Sequence, residues 1–159
     1  MKKILFVLAL SLFISCGKDK ETDFAVKKVK EISYAAKNDQ DIIAYVAKNK
    51  LKATKSSTGL YYVINETGKG IHPAPASTVR VAYKGYYTNG VIFDQSTTTG
   101  ISFTLYQVIN GWKEGITYFR EGGSGILLVP AHLGYGNYDY NGIPGGSVLI
   151  FDIKLISVN

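Results

Sequence analysis

The sequence contains one cysteine, Cys16, so no internal disulfide can staple the fold. Histidine is almost as scarce. His72 and His132 are the only two, both fall in expected loops, and neither has a Cys, His or carboxylate partner at metal-ligand spacing. Gly122, Gly123 and Gly125 read as turn glycines, because no Lys-Ser or Lys-Thr follows them as a phosphate loop requires. No nucleophile stands beside a base in a motif suited to covalent catalysis. There is no internal repeat, and no apolar run comes near the roughly 20 residues of a membrane-spanning helix. These absences argue against metal, nucleotide and covalent chemistry. They leave a function that rests on binding, desolvation and geometry.

The ends of the chain are informative. Lys2 and Lys3 precede an apolar run at residues 4–14 broken only by Ser11, and the sequence then turns polar. This is the pattern of a secretory signal peptide over residues 1–15. Cys16 follows directly. The stretch from Phe13 to Cys16 resembles a bacterial lipobox, with Phe13 in place of the usual leucine, so Cys16 is the expected lipidation site. Ordinary cleavage leaving a free thiol is the alternative. A diacylglyceryl group plus an N-acyl chain would anchor the domain much more firmly than a single chain. The expected location is then the bacterial cell envelope at the outer membrane, with the membrane face left open.

The formal net charge of +6 is unevenly placed. Of 18 Lys and Arg, four lie in the first 20 residues and eight between residues 27 and 55. Six lie beyond residue 60, matched there by six acids. The C-terminal part is therefore formally neutral, and the basic excess belongs to the leader and to an arm that can lie near anionic lipid. Charge segregated in this way does not point to a nucleic-acid partner.

Along the chain, residues 16–59 read as a tether and helical arm and residues 60–159 as one domain. Residues 17–23 are a polar tether. Phe24, Val29, Ile32 and Ala36, then Ile42, Ile43, Val46 and Ala47, recur at helical spacing. Asn38 to Asp41 offer an N-cap between the two runs, so two short helices or one broken helix are expected over residues 24–50, as spacer, cap or dimer contact. Residues 48–59 read as a linker. From residue 60 the texture is β: strands are expected at 60–64, 78–83, 91–93, 101–105, 125–130 and 147–158. Asn89-Gly90 marks a hairpin. Residues 108–119 are the one good helix of the domain, with Val108, Ile109, Trp112, Ile116 and Phe119 on one face. The fold class is α+β, an antiparallel β-sheet wrapped around one short α-helix and preceded by the helical arm.

What the domain does contain is a set of spaced aromatic and aliphatic signatures with two aspartates among them, the material of an apolar pocket with few polar handles. In order they are Tyr83-x-Gly85, Phe93-Asp94, Val108-Ile109-x-Gly111-Trp112, Tyr135-Gly136, Ile143-Pro144 and Phe151-Asp152. In this order and spacing, residues 60–158 resemble the FKBP-type peptidyl-prolyl cis-trans isomerases, and the lipobox and arm resemble their membrane-anchored bacterial forms. The resemblance implies an isomerase of Xaa-Pro bonds that needs no cofactor and acts on proline-containing polypeptides, with a macrolide as the expected inhibitor. It implies Tyr83, Phe93, Asp94, Trp112, Tyr135 and Phe151 as catalytic residues, and Phe103, Val108, Ile109 and Ile143 as substrate-binding residues. Trp112 would be the floor and Phe93, Phe103 and Phe151 the walls. Asp94 would accept a hydrogen bond from Tyr83 and face the substrate carbonyls, while the Ile109 N–H and the Tyr135 hydroxyl would hold carbonyl oxygens. Asp152 reads as a structural carboxylate.

Two loops depart from the family pattern, 95–102 and 137–142. Both are expected to border the pocket and to set substrate preference. The altered rims and the dedicated anchor also suit a second reading, a non-catalytic peptide-binding chaperone or scaffold of the envelope. A small-ligand carrier would rest on fold analogy alone.

Overall fold

Alternating β-branched and aromatic residues build one antiparallel sheet of seven strands, and the computed structural model describes residues 20–159 of the chain. The signal segment at 1–15, Cys16 and the first tether residues lie outside the described residues, as does the side chain of Ile32. The strands are β1 (Thr54–Lys55), β2 (Tyr61–Glu66), β3 (Thr78–Tyr87), β4 (Ile92–Gln95), β5 (Ile101–Thr104), β6 (Ser124–Val129) and β7 (Leu149–Val158). Their order is β1-β2-β6-β7-β3-β4, and β5 also pairs with β3. The ten-residue strands β3 and β7 form the centre. β3 serves two partners on its outer edge: Lys84 to Tyr86 pair with β4, and Thr78 to Val81 pair with β5.

The period of two sends Val79 and Val81 of β3, Leu127 and Val129 of β6 and Phe151 of β7 to one face, where they bury against the helix α2 (Asn110–Gly115). α2 is shorter than its periodic pattern, because Ile109 is extended (ψ 152°) and residues Ile116–Tyr118 tighten into a 3-10 turn. Gly111 and Gly115, four residues apart on one face, make its close approach to the sheet possible. A Cβ at Gly111 would lie 2.5 Å from a Val129 methyl, and one at Gly115 would lie 2.6 Å from the Leu127 methyls.

The arm is one continuous helix, α1 (Lys20–Lys48), not two helices or a broken one. Residues that could have capped a second helix are engaged at long range instead. Asp39 accepts from Lys55 Nζ at 2.5 Å and from the Tyr61 hydroxyl at 2.8 Å, while Asn38 is buried against the domain. The helix ends in a reversal of the Schellman type: Leu51 N–H donates to Val46 O, Lys50 N–H to Ala47 O, and Lys50 takes the left-handed conformation at φ 54°.

The two apolar runs of α1 part ways. Phe24 and Val29 are exposed, whereas Ile42 is fully buried with Tyr61, Leu128, Val148 and Ile150 on the second face of the sheet. The second half of α1 is therefore a layer over that face. Within 48–59, β1 interrupts the expected linker by pairing with β2. Among the described residues no helix is long and apolar enough to cross a membrane.

Candidate active site

The pleat of β3 and its neighbours carries the site. Tyr83 and Gly85 point to the α2 side, and Gly85 sits in register with Asp94 of β4 and Phe151 of β7. Gly85 has to be small. A Cβ there would stand 2.7 Å from Phe93 Cζ and 3.0 Å from Phe151 Cε1. The space it leaves lets Phe93 and Phe151 meet edge to face, with ring centres 5.6 Å apart at 89°.

Trp112 lies beneath, 4% exposed on α2. Three rings stand nearly upright to its indole: Tyr83 at 5.1 Å and 89°, Phe151 at 5.3 Å and 82°, and Phe103 at 5.4 Å and 81°. Tilted and edge-to-face contacts of this kind add about 0.5–1.5 kcal/mol each beyond burial, so the rings hold one another in place. Trp112 Nε1 is the buried side-chain polar atom left without a hydrogen-bond partner among the described residues.

These rings line an open-mouthed cavity of about 390 Å³, with Asp94, Val108, Ile109 and Tyr135 also on its wall. The Tyr83 hydroxyl donates to Asp94 Oδ2 at 2.5 Å. Burial pushes the Tyr83 phenol well above its ordinary range, and the Asp94 hydrogen bond and charge push it further. Burial and then the Asp94 charge also raise Tyr135. Both hydroxyls are therefore protonated donors at neutral pH.

Nine of the ten pocket residues expected from the sequence line this cavity; Ile143 does not. Ile143 packs on the core and exchanges two backbone hydrogen bonds with Tyr140, each 2.9 Å. Three unforeseen residues line the cavity instead: Gln107, Tyr140 and Asn141. The signal for two of them was present. Asn141-Gly142 between paired residues is a tight-hairpin signature, and both residues have positive φ, 46° and 82°. That hairpin brings Tyr140 flat against Tyr135, ring centres 5.1 Å apart at 12°. Nothing in the local pattern singles out Gln107.

The 137–142 loop thus borders the cavity, but 95–102 does not. Ser96, Thr97 and Thr98 line an open groove of about 410 Å³ with Lys84, Asp152 and Lys154, and this groove shares only Tyr83 with the cavity. Asp152 pairs with Lys84 at 3.2 Å and accepts from the Tyr86 hydroxyl at 2.9 Å. His72 Nδ1 lies 3.0 Å from Phe119 O, and His132 Nε2 lies 2.9 Å from Thr58 O.

The family model of FKBP-type peptidyl-prolyl cis-trans isomerases matches residues 69–156. The FKBP-type peptidyl-prolyl cis-trans isomerase FkpA of Buchnera aphidicola is 43% identical over 113 residues, covering 69% of the chain and 47% of that protein. The Escherichia coli FkpA crystal structure superposes with a TM-score of 0.71 at 35% identity, over 91% of the chain and 75% of that one. A peptidyl-prolyl cis-trans isomerase structure from Pseudomonas syringae gives a TM-score of 0.66 at 28% identity, over 90% and 99%. The chain spans less than half the length of the Buchnera relative. The family model covers more than half of the chain, including β3 to β6 and α2, and the chain belongs to the FKBP-type peptidyl-prolyl cis-trans isomerase family.

Proposed function

We propose that this chain accelerates cis-trans isomerisation of Xaa-Pro bonds in polypeptides outside the cytoplasm, held at the cell envelope by lipid on Cys16. The observation that carries the reading is the cavity in which three rings stand on Trp112 beside the Tyr83–Asp94 pair.

The reaction needs no bond to break. A prolyl amide resists rotation by a barrier of about 18–20 kcal/mol, and the uncatalysed exchange takes on the order of tens to hundreds of seconds. The planar ground state is more dipolar than the twisted transition state, which has lost amide resonance. A dry aromatic enclosure therefore favours the twisted form. In this reading the proline ring lies on Trp112 between Phe93, Phe103 and Phe151. The Tyr135 hydroxyl and the Ile109 N–H, which precedes α2 and has no intrahelical acceptor, hold carbonyl oxygens of the flanking residues. Asp94, fixed by Tyr83, faces the substrate carbonyls. Binding the twisted form more tightly than the planar one lowers the barrier. A thousandfold acceleration needs only about 4 kcal/mol, within reach of these contacts.

The test is an isomerisation assay on an Xaa-Pro peptide with the purified chain, with and without a macrolide. Catalysis above background at micromolar protein, suppressed by the macrolide, supports the reading. No rate above background overturns it and leaves the peptide-binding chaperone as the alternative.

A further inference from the structure

Asn38 stands out on α1. It is 1% exposed, the buried polar residue among the described ones, while its neighbours Ala35, Ala36 and Lys37 are exposed. Its side chain makes two long-range hydrogen bonds. The Ala131 N–H donates to Asn38 Oδ1 at 2.8 Å, and Asn38 Nδ2 donates to Gly146 O at 2.9 Å. Ala131 and Gly146 are the two ends of the segment between β6 and β7. That segment carries Tyr135, Tyr140 and Asn141 to the cavity.

The link continues inward. Gly146 N–H donates to Gly136 O at 2.9 Å, and Gly136 N–H donates to Ala131 O at 2.8 Å. Gly136 is the residue next to Tyr135. The Tyr34 ring presses on the same point, since a Cβ at Gly146 would lie 2.1 Å from Tyr34 Cε1. Attaching α1 to the domain needs no such clamp, because Ile42 already buries against the sheet. A carboxamide carries an acceptor oxygen and an NH2 donor on one rigid group, and here the oxygen holds one end of this segment and the NH2 the other.

We propose that Asn38 is a positioning residue of the active site: from α1 it clamps both ends of 131–146 and so sets Tyr135, Tyr140 and Asn141 over the Trp112 floor. This rests on the isomerase reading above and deepens it. The arm then acts on substrate binding through the rim without touching substrate.

The experiment compares Asn38→Ala, Asn38→Asp and the exposed control Lys37→Ala in the full chain. It reads kcat and KM on Xaa-Pro peptides and amide hydrogen exchange along the backbone. Losing the two hydrogen bonds in Asn38→Ala should raise KM about three- to tenfold, with kcat changed less than about twofold. Exchange should speed up roughly tenfold within 131–146 and not in β3 or β7. Asn38→Asp keeps the acceptor for Ala131 but at neutral pH sets a buried carboxylate oxygen against Gly146 O, so its effect should equal or exceed that of Asn38→Ala; Lys37→Ala should match the wild type. KM and 131–146 exchange within about twofold of wild type would overturn the proposal. Faster exchange spread over the whole sheet at unchanged KM would make Asn38 merely structural, and would overturn it too. If Asn38→Ala does not fold, Asn38→Ser, which keeps a small neutral hydroxyl at the position, decides by the same readouts. If the wild type shows no isomerisation, the functional reading fails, and exchange alone decides the clamp: faster exchange confined to 131–146 supports it, and unchanged exchange overturns it.

Discussion

The Tyr83 hydroxyl donates to Asp94 Oδ2 at 2.5 Å across two neighbouring strands, so one aromatic wall of the cavity and its only carboxylate are fixed together. Hydrogen bonds to charged groups are worth about 1.5–3 kcal/mol. Asp94→Ala should therefore lower kcat/KM by about tenfold or more, and Tyr83→Phe by less, because Phe keeps the ring contact with Trp112. Peptide isomerisation kinetics on both variants check this; full activity in Asp94→Ala would remove Asp94 from the site.

The same pair has a consequence at alkaline pH. The Tyr83 and Tyr86 phenols are raised above the ordinary value of 10.0, and Tyr118 is pushed up to about 12, in each case chiefly by burial. A raised phenol contributes stability that is present below pH 10 and is lost as pH rises through its folded value. Ultraviolet titration should show these three ionising after the exposed tyrosines, with alkaline unfolding setting in over that range. Tyr83→Phe should remove one late-titrating phenol.

Gly85→Ala tests the walls. The added methyl meets Phe93 and Phe151 at 2.7–3.0 Å, and overpacking of this kind costs about 1–3 kcal/mol. Urea denaturation should show that loss, and KM should rise because both walls are displaced. An unchanged KM in a destabilised variant would separate the walls from substrate binding.

Trp112 is the single tryptophan, so intrinsic fluorescence reports on the cavity floor without labelling. A proline peptide or a macrolide should shift its emission with the same concentration dependence as it occupies or inhibits the enzyme. Trp112→Ala should abolish the response and destabilise the domain by about 3–5 kcal/mol, measured by urea denaturation.

Lipid attachment is testable in cells. Labelled palmitate should enter the chain in a bacterial host that processes lipoproteins, and Cys16→Ser should release the protein from the membrane fraction. Membrane retention of Cys16→Ser would point to another means of attachment.

Much of this fold is written in local patterns. Alternation in β3 and β7, the Gly111/Gly115 spacing of α2 and the order of aromatic motifs each follow from a few adjacent residues, because strand pleat and helix pitch impose periods of two and 3.6. The ten pocket residues came from the family resemblance, and nine of them line one cavity. Ile143 packs on the core and pairs with Tyr140 across the Asn141-Gly142 turn, and it is Tyr140 that stacks on Tyr135. The 95–102 loop failed because it turns to the groove beside Lys84 and Lys154 instead of the cavity.

The continuity of α1 was beyond reach of local reading. Asn38 and Asp39 look like cap residues because short polar side chains satisfy free helix N–H groups when nothing else engages them. Here their partners are Ala131, Gly146, Lys55 and Tyr61. Periodicity established the apolar material of the site and the strands that present it. The choice between a break and a clamp at Asn38 depended on groups 93 and 108 residues away, whose nearness exists only after the sheet has formed and the helix has docked upon it.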